Sequence, residues 1–277
     1  MITPQEKENK RQQERANYRT VKVNELVDSR TDISLDGTWL FMPEYQLDDK
    51  DKAISVATDD KNWHVMSVPN FWNPIRIWLH GETMPSPAGP QPKGVSDTYY
   101  QQETERCEGY TFDYRKTKAA WYRQWVELPA NVEGKNMTLT FDAVSKVAEI
   151  YINGELAGSH IGMFGEIQVD GSKLLKSGKN LVVVKVISKT DGSSSESGSA
   201  AIDFFYSSVR ESEKEDGKVS AKSNLLKDIA HGFYGDEPAG IWQPVKLTIT
   251  SPLKVENVFI KPSLDGATFD LTVKNHG

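Results

Sequence analysis

The stretch from Ala119 to Val186 constrains this chain more than any other. It strings together short apolar runs separated by Gly, Asn or Pro. Val126 and Leu128 alternate with polar neighbours, and so do Met137, Leu139 and Phe141, then Ile150 and Ile152, then Ile167 and Val169. A period of two places every second side chain on one face, as in a strand with one face buried. Asn153-Gly154, between AEIYI and ELAGSHI, is a strong hairpin signal because both residues tolerate positive φ in a type I′ turn. The β-branched run LVVVKV has the continuous apolar character of a strand covered on both faces. The expectation is an all-β protein built on an antiparallel β-sandwich.

The rest of the chain is consistent with that core. Its 277 residues are enough for one large or two ordinary domains. Ten Tyr, ten Phe and seven Trp supply large buried areas, offsetting a modest apolar fraction of 38%. Most of these aromatics alternate with polar residues and read as core. The same ring types suit sugar-holding surfaces, where an aromatic face lies flat on the C–H face of a pyranose. The net charge of -6 disfavours a nucleic-acid partner. A lone Cys107 excludes an intrachain disulfide and a thiolate metal site. No apolar run is long enough to span a membrane, and the N-terminus shows no signal-peptide h-region.

Residues 1–30 are polar and charged; KENKRQQERANYR has the composition of a solvated helix but only a thin apolar stripe, and the expectation is a frayed leader or an expression remnant. ISLDGTWLF, from Ile33, reads as a first strand that turns at Asp36-Gly37 and lays Trp39 into the core. DDKDKAISVATDDKNW reads as a charged surface connection. Residues 73–118 form a long, proline-rich and then aromatic excursion; connections of that length are usually functional or disordered, and Tyr99, Tyr100, Tyr110, Phe112 and Tyr114 speak against plain disorder. A second break, SKTDGSSSESGSAA, leads to a low-apolar segment and then to HGFYGDEPAGIW. A closing strand follows with Val245, Leu247 and Ile249. Two more alternating segments, joined at Asp265-Gly266, occupy residues 253–277. An isolated ribbon of two strands is marginal in water, so this reads as the opening hairpin of a second, truncated β-sandwich.

The order LDGTWLF, WHVMSVPNFW, AWYRQWVELP, INGELAGSHIGMFG and GIWQPVKL resembles the N-terminal sugar-binding domain of glycoside hydrolase family 2, the family of β-galactosidases, β-glucuronidases and β-mannosidases. The likeness covers residues 33–252, and the tail from Leu253 resembles the start of that family's immunoglobulin-like domain. The resemblance implies a jelly-roll, galactose-binding-like sandwich over 31–252. It also implies that O-glycosyl hydrolysis belongs to a (β/α)₈ barrel of the same polypeptide, with carbohydrate as substrate, no cofactor, and a periplasmic or extracellular location. Nothing in the chain has the alternating strands and helices of such a barrel.

Candidate site residues follow from motif and likeness together. In AWYRQ, Trp121 and Arg123 share one face and Tyr122 the other, and Arg123 is placed to pair with an acidic residue beneath an aromatic layer. Phe164, between Gly162 and Gly165, reads as a core plug. The resemblance implies that the loop before GIW carries an acidic residue that reaches the sugar. Asp236 and Glu237 occupy that loop beside His231 and Tyr234, and Asp236 is preferred because Pro238 restrains Glu237. A carboxylate accepts hydrogen bonds from two hydroxyls at once. An ordinary solvated GDEP turn is the competing reading. Adjacent carboxylates on one turn cannot form the opposed pair that glycoside hydrolysis needs. Trp72, Trp78 and His80 either border a sugar site or pack on the barrel. The five histidines show no metal-ligand spacing, and no phosphate-binding or nucleophile-elbow motif is present. Besides a supporting module of a glycosidase, an independent carbohydrate-binding module and a pure docking scaffold remain open.

Overall fold

A computed structural model describes residues 3–27, 29–74, 95–187 and 239–275. In chain order the elements are α1 (Pro4–Arg15), β1 (Val21–Lys22), β2 (Arg30–Ser34), β3 (Gly37–Pro43), α2 (Asp51–Ile54), β4 (His64–Val68), α3 (Val95–Glu108), β5 (Ala119–Leu128), β6 (Asn136–Phe141), β7 (Val144–Ser145), β8 (Val147–Ile152), β9 (Glu155–Ile161), β10 (Ile167–Asp170), β11 (Gly178–Ile187), β12 (Gly240–Ile241), β13 (Val245–Thr250), β14 (Leu253–Ser263) and β15 (Gly266–Asn275).

Two antiparallel sheets form the sandwich. One runs β4-β3-β5-β11-β8-β9, with β1 pairing parallel to β5 beyond the end of β3. The other runs β10-β6-β13-β2. The alternating residues do what their period dictates. Trp39, Phe41, Tyr122, Val126, Ile150, Val182 and Val184 from the larger sheet meet Met137, Leu139, Phe141, Val169, Leu247 and Ile249 from the smaller one in a single buried cluster. Trp39 donates its indole N–H to the Leu35 carbonyl at 2.7 Å. Asn153 has φ of +53° and Gly154 +91°, the values that a type I′ turn requires.

The larger sheet is covered on its outer face as well. Leu40, Met42, Trp121, Leu181 and Val183 pack there with Tyr18, Ala53 and Trp63. That explains the uninterrupted apolar run of β11. The cover is made by the charged connection after β3 and by the N-terminal segment.

The N-terminal segment departs from the expectation of a frayed leader. Helix α1 begins with a capping box at Thr3 and Glu6. Its basic side chains reach the domain: Arg11 donates to the Asn62 carbonyl at 2.9 Å, Arg15 pairs with Asp60 at 2.9 Å, and Lys10 donates to the Gly109 carbonyl. Tyr18 is buried, and its hydroxyl accepts the Trp125 N–H at 2.9 Å. The apolar stripe of α1 is thin because the helix docks through ion pairs and hydrogen bonds.

The ribbon β14–β15 pairs along its whole length, closing on Leu264 and Asp265. Val255, Val258, Phe259, Ile260, Phe269 and Leu271 are all exposed. Within the described residues the ribbon has no core of its own.

Candidate functional site at one rim of the sandwich

The segment after β4 and the segment around β12 zip together. Asn70 donates its backbone N–H to the Ile241 carbonyl at 2.8 Å, and Trp72 donates to the Ala239 carbonyl at 2.9 Å. Ala239 N–H donates in return to Asn73 Oδ1 at 2.8 Å. On its other side β12 pairs with β7, Gly240 opposite Ser145 and Ile241 opposite Val144. Lys146 donates to the Ile187 carbonyl at 3.3 Å, and Trp72 donates its indole N–H to the Thr117 carbonyl at 3.2 Å. The described ends near residues 73, 187 and 239 therefore meet at one rim.

Gly240 makes the close approach possible. Its φ is +149°, and a Cβ there would lie 2.3 Å from the Asn70 carbonyl oxygen and 3.2 Å from the Tyr122 hydroxyl. An aromatic patch lies alongside. Phe71 stacks on Trp242 at 5.4 Å, and Phe164 meets the same indole edge-on at 5.8 Å. Trp242 is held by a 2.9 Å hydrogen bond from its Nε1 to the Met163 carbonyl. Phe164 is 58% exposed, so it is a surface ring on this patch and does not plug the core. The glycines at 162 and 165, with φ of +138° and +106°, turn the chain so that Met163 points inward instead. His160, next to this turn, is half-buried, its Nε2 has no hydrogen-bond partner among the described residues, and desolvation lowers its pKa.

Asp236, Glu237, Tyr234, His231, Trp78 and His80 lie outside the described residues. Trp72 lies within them, at the rim but only 1% exposed, tilted against Phe41 at 5.8 Å and Tyr122 at 6.4 Å. It presents no face to a sugar; its large ring seals the core under the rim. The aromatics that follow α3 also turn inward. Phe112 packs on Phe41 at 4.6 Å and Tyr110 stacks on Phe112 at 4.9 Å. Arg106 is tied to Glu103 at 2.6 Å and donates to Tyr110 Oη. Helix α3 itself has little apolar periodicity, which is why the sequence read as irregular here.

The pairing expected of Arg123 is present. Its guanidinium is fully buried, 3.9 Å from Asp60, and lies over the rings of Trp63 and Trp125 at 5.0 and 5.9 Å. Asp60 also accepts from Trp125 Nε1 at 3.0 Å. Beside it, buried Lys185 approaches Glu44 at 3.5 Å and lies over Trp121 at 5.3 Å. These charges sit on the outer face of the larger sheet, away from the rim. Among the described residues no group of three His, Cys, Asp or Glu side chains is placed to hold a metal ion, and no helix is long and apolar enough to cross a membrane.

Two antiparallel sheets closed over one core make this an all-β sandwich. Residues 92–221 match the family described as "Glycosyl hydrolase 2 galactose-binding domain-like". The chain is 26% identical over 168 residues to a putative beta-glucuronidase of Formosa agariphila, covering 60% of this chain and 16% of that protein. It is 28% identical over 153 residues to a beta-galactosidase of Thermoanaerobacter pseudethanolicus, covering 54% and 16%. The structure of Bifidobacterium dentium beta-glucuronidase complexed with coumarin-3-O-glucuronide superposes with a TM-score of 0.52 at 20% identity, covering 93% of this chain and 38% of that one. This last likeness shows the fold alone. Over residues 92–221 the chain is thus similar to the galactose-binding-like domain of glycoside hydrolase family 2. Its matches span about a sixth of the length of these curated relatives.

Proposed function

We propose that the chain is a non-catalytic supporting module of a family 2 glycoside hydrolase. A (β/α)₈ barrel of the same polypeptide would carry out hydrolysis, and the rim would border its active site. The ladder between residues 70–73 and 239–241 is the observation that supports this most. It anchors residue 239 rigidly, one residue after the GDEP segment that contains Asp236 and Glu237. Asp236 is assigned the sugar-contacting role. The ribbon β14–β15 is assigned as the opening of an immunoglobulin-like sandwich whose core would cover its exposed apolar residues. The relatives' names make β-glucuronides and β-galactosides the substrate classes to test, and the family likeness makes export the expected fate.

The test pairs two measurements. The 277-residue chain alone should not hydrolyse aryl β-glycosides. In the full-length polypeptide, Asp236→Asn should lower kcat/KM by about 10- to 100-fold, because a charged hydrogen bond to substrate is lost. Turnover by the short chain that survives repurification, or an Asp236→Asn enzyme with unchanged kcat/KM, would overturn the respective half of the proposal.

A further inference from the structure

On the opposite side from the rim, the docked N-terminal segment does more than cover the sheet. Between the end of α1, strand β1 and the outer face of β5 and β11 it leaves a cleft of about 490 Å³. That volume lies within the range of small-ligand sites. Arg15, Arg19, Lys22 and Lys179 line it together with Asp60 and Trp125. The positive charge exceeds what the neighbouring carboxylates neutralise. Asp60 is held by Arg15 at 2.9 Å and lies 3.9 Å from Arg123, and Glu127 answers Lys22 at 3.5 Å. Arg19 donates only to the carbonyls of Ala16 and Tyr18, and Lys179 has no ion pair among the described residues. Among the described residues Arg15 Nε is buried without a hydrogen-bond partner. In a chain of net charge -6, this is a local concentration of cations around a half-buried indole.

We infer that this cleft binds an anionic sugar ring, one bearing a carboxylate or a sulfate ester, independently of any catalytic barrel. The Trp125 indole, half-buried and bonded to Asp60 at 3.0 Å, lines the cleft and supplies aromatic surface for the C–H side of a pyranose. Arg19 and Lys179 line the same cleft and supply the counter-charge. A guanidinium reads a carboxylate or sulfate through paired N–H donors, and the ammonium adds an adaptable point charge. The site goes beyond the role assigned to the rim and shares no residue with it.

The test is a titration of the 277-residue chain, followed by tryptophan fluorescence and by the indole N–H resonances. The probes are a glucuronate-containing hexasaccharide, its carboxyl-reduced neutral counterpart, a neutral hexasaccharide carrying sulfate esters, inorganic sulfate, and a single-stranded oligonucleotide of equal charge. The anionic sugars should bind saturably with a Kd on the order of 1 mM, and the neutral sugar should bind at least about tenfold more weakly. Comparing the uronate with the sulfate ester decides which anion is preferred, and binding of either supports the site. Arg19 and Lys179 are exposed. Their double replacement by Ala should therefore leave the circular dichroism and melting curve unchanged, while weakening binding about 5- to 10-fold and flattening its salt dependence. No binding of either anionic sugar would overturn the inference. So would equal affinity for the neutral sugar, equal affinity for sulfate alone, tighter binding of the oligonucleotide, or full affinity in the double variant.

Discussion

Gly240 and Asn70 touch so closely that only a hydrogen fits between the glycine Cα and the neighbouring strand. A Cβ at position 240 would lie 2.3 Å from the Asn70 carbonyl oxygen, and the φ of +149° excludes a relaxed L side chain in any case. Gly240→Ala must therefore open the ladder that closes the rim. The expected loss is about 3 kcal/mol or more, read as a lower urea midpoint. An unchanged midpoint would mean that the close approach is not needed for the fold.

The turn at Asn153 is held from the side by Asn180. Asn180 is fully buried; it accepts from Asn153 Nδ2 at 3.0 Å and from Lys176 N–H at 2.8 Å, and donates to the carbonyls of Lys176 and Gly178. Asn180→Ala removes all four of these hydrogen bonds from a fully buried position. It should cost about 2–4 kcal/mol in chemical denaturation, against less than about 0.5 for the exposed Glu155→Ala. Equal effects at the two sites would contradict this network.

His64 makes stability depend on pH. It is buried, with Nε2 donating to Gln46 Oε1 at 2.8 Å and Nδ1 accepting from Thr111 Oγ1 at 2.7 Å. Desolvation, with Arg11 nearby, pushes its pKa down to about 4. The unfolded chain takes up that proton near pH 6.5, the folded one only near 4. Stability is thus complete above about 6.5 and falls as the pH drops toward 4, by about 3 kcal/mol in all. Denaturation at pH 7, 6, 5 and 4 should show this fall, and His64→Gln should flatten its part of it. Equal slopes in the two proteins would refute the assignment.

Asp60 is the carboxylate that buried Arg123 faces. Asp60→Asn keeps the shape and removes the charge, leaving the guanidinium among Trp63 and Trp125 with reduced compensation. A loss of about 3 kcal/mol is expected. In a double-mutant cycle with Arg123→Met the coupling should be well above zero. Additive effects would show that the two charges are independent.

Cys107 is buried in α3, and desolvation pushes its thiol pKa up to about 12. Native protein at pH 8 should react with a thiol reagent about 10²- to 10³-fold more slowly than urea-unfolded protein. Comparable rates would place the thiol at the surface.

Much of the architecture is legible in the chain by itself. The alternation of Met137, Leu139 and Phe141, the Asn153-Gly154 turn and the β-branched run of β11 each specify local geometry through side-chain period and φ preference, and those are properties of neighbours in sequence. The pairing of Arg123 was also readable, because a cation at that place in an aromatic strand needs a counter-charge. The tertiary structure alone decided what depends on distant segments meeting. It docked a polar N-terminal helix onto Asp60 through an ion pair and onto the Gly109 carbonyl through a hydrogen bond, contacts that need no apolar stripe. It turned Phe164 outward and Met163 inward, and drew Trp72 and Phe112 into the core. It brought Asn70 against Gly240, and it gathered Arg19, Lys179 and Trp125 around one cleft. Such contacts are set by the packing of the sheets in three dimensions, for which a linear pattern of apolar and polar residues carries no coordinate.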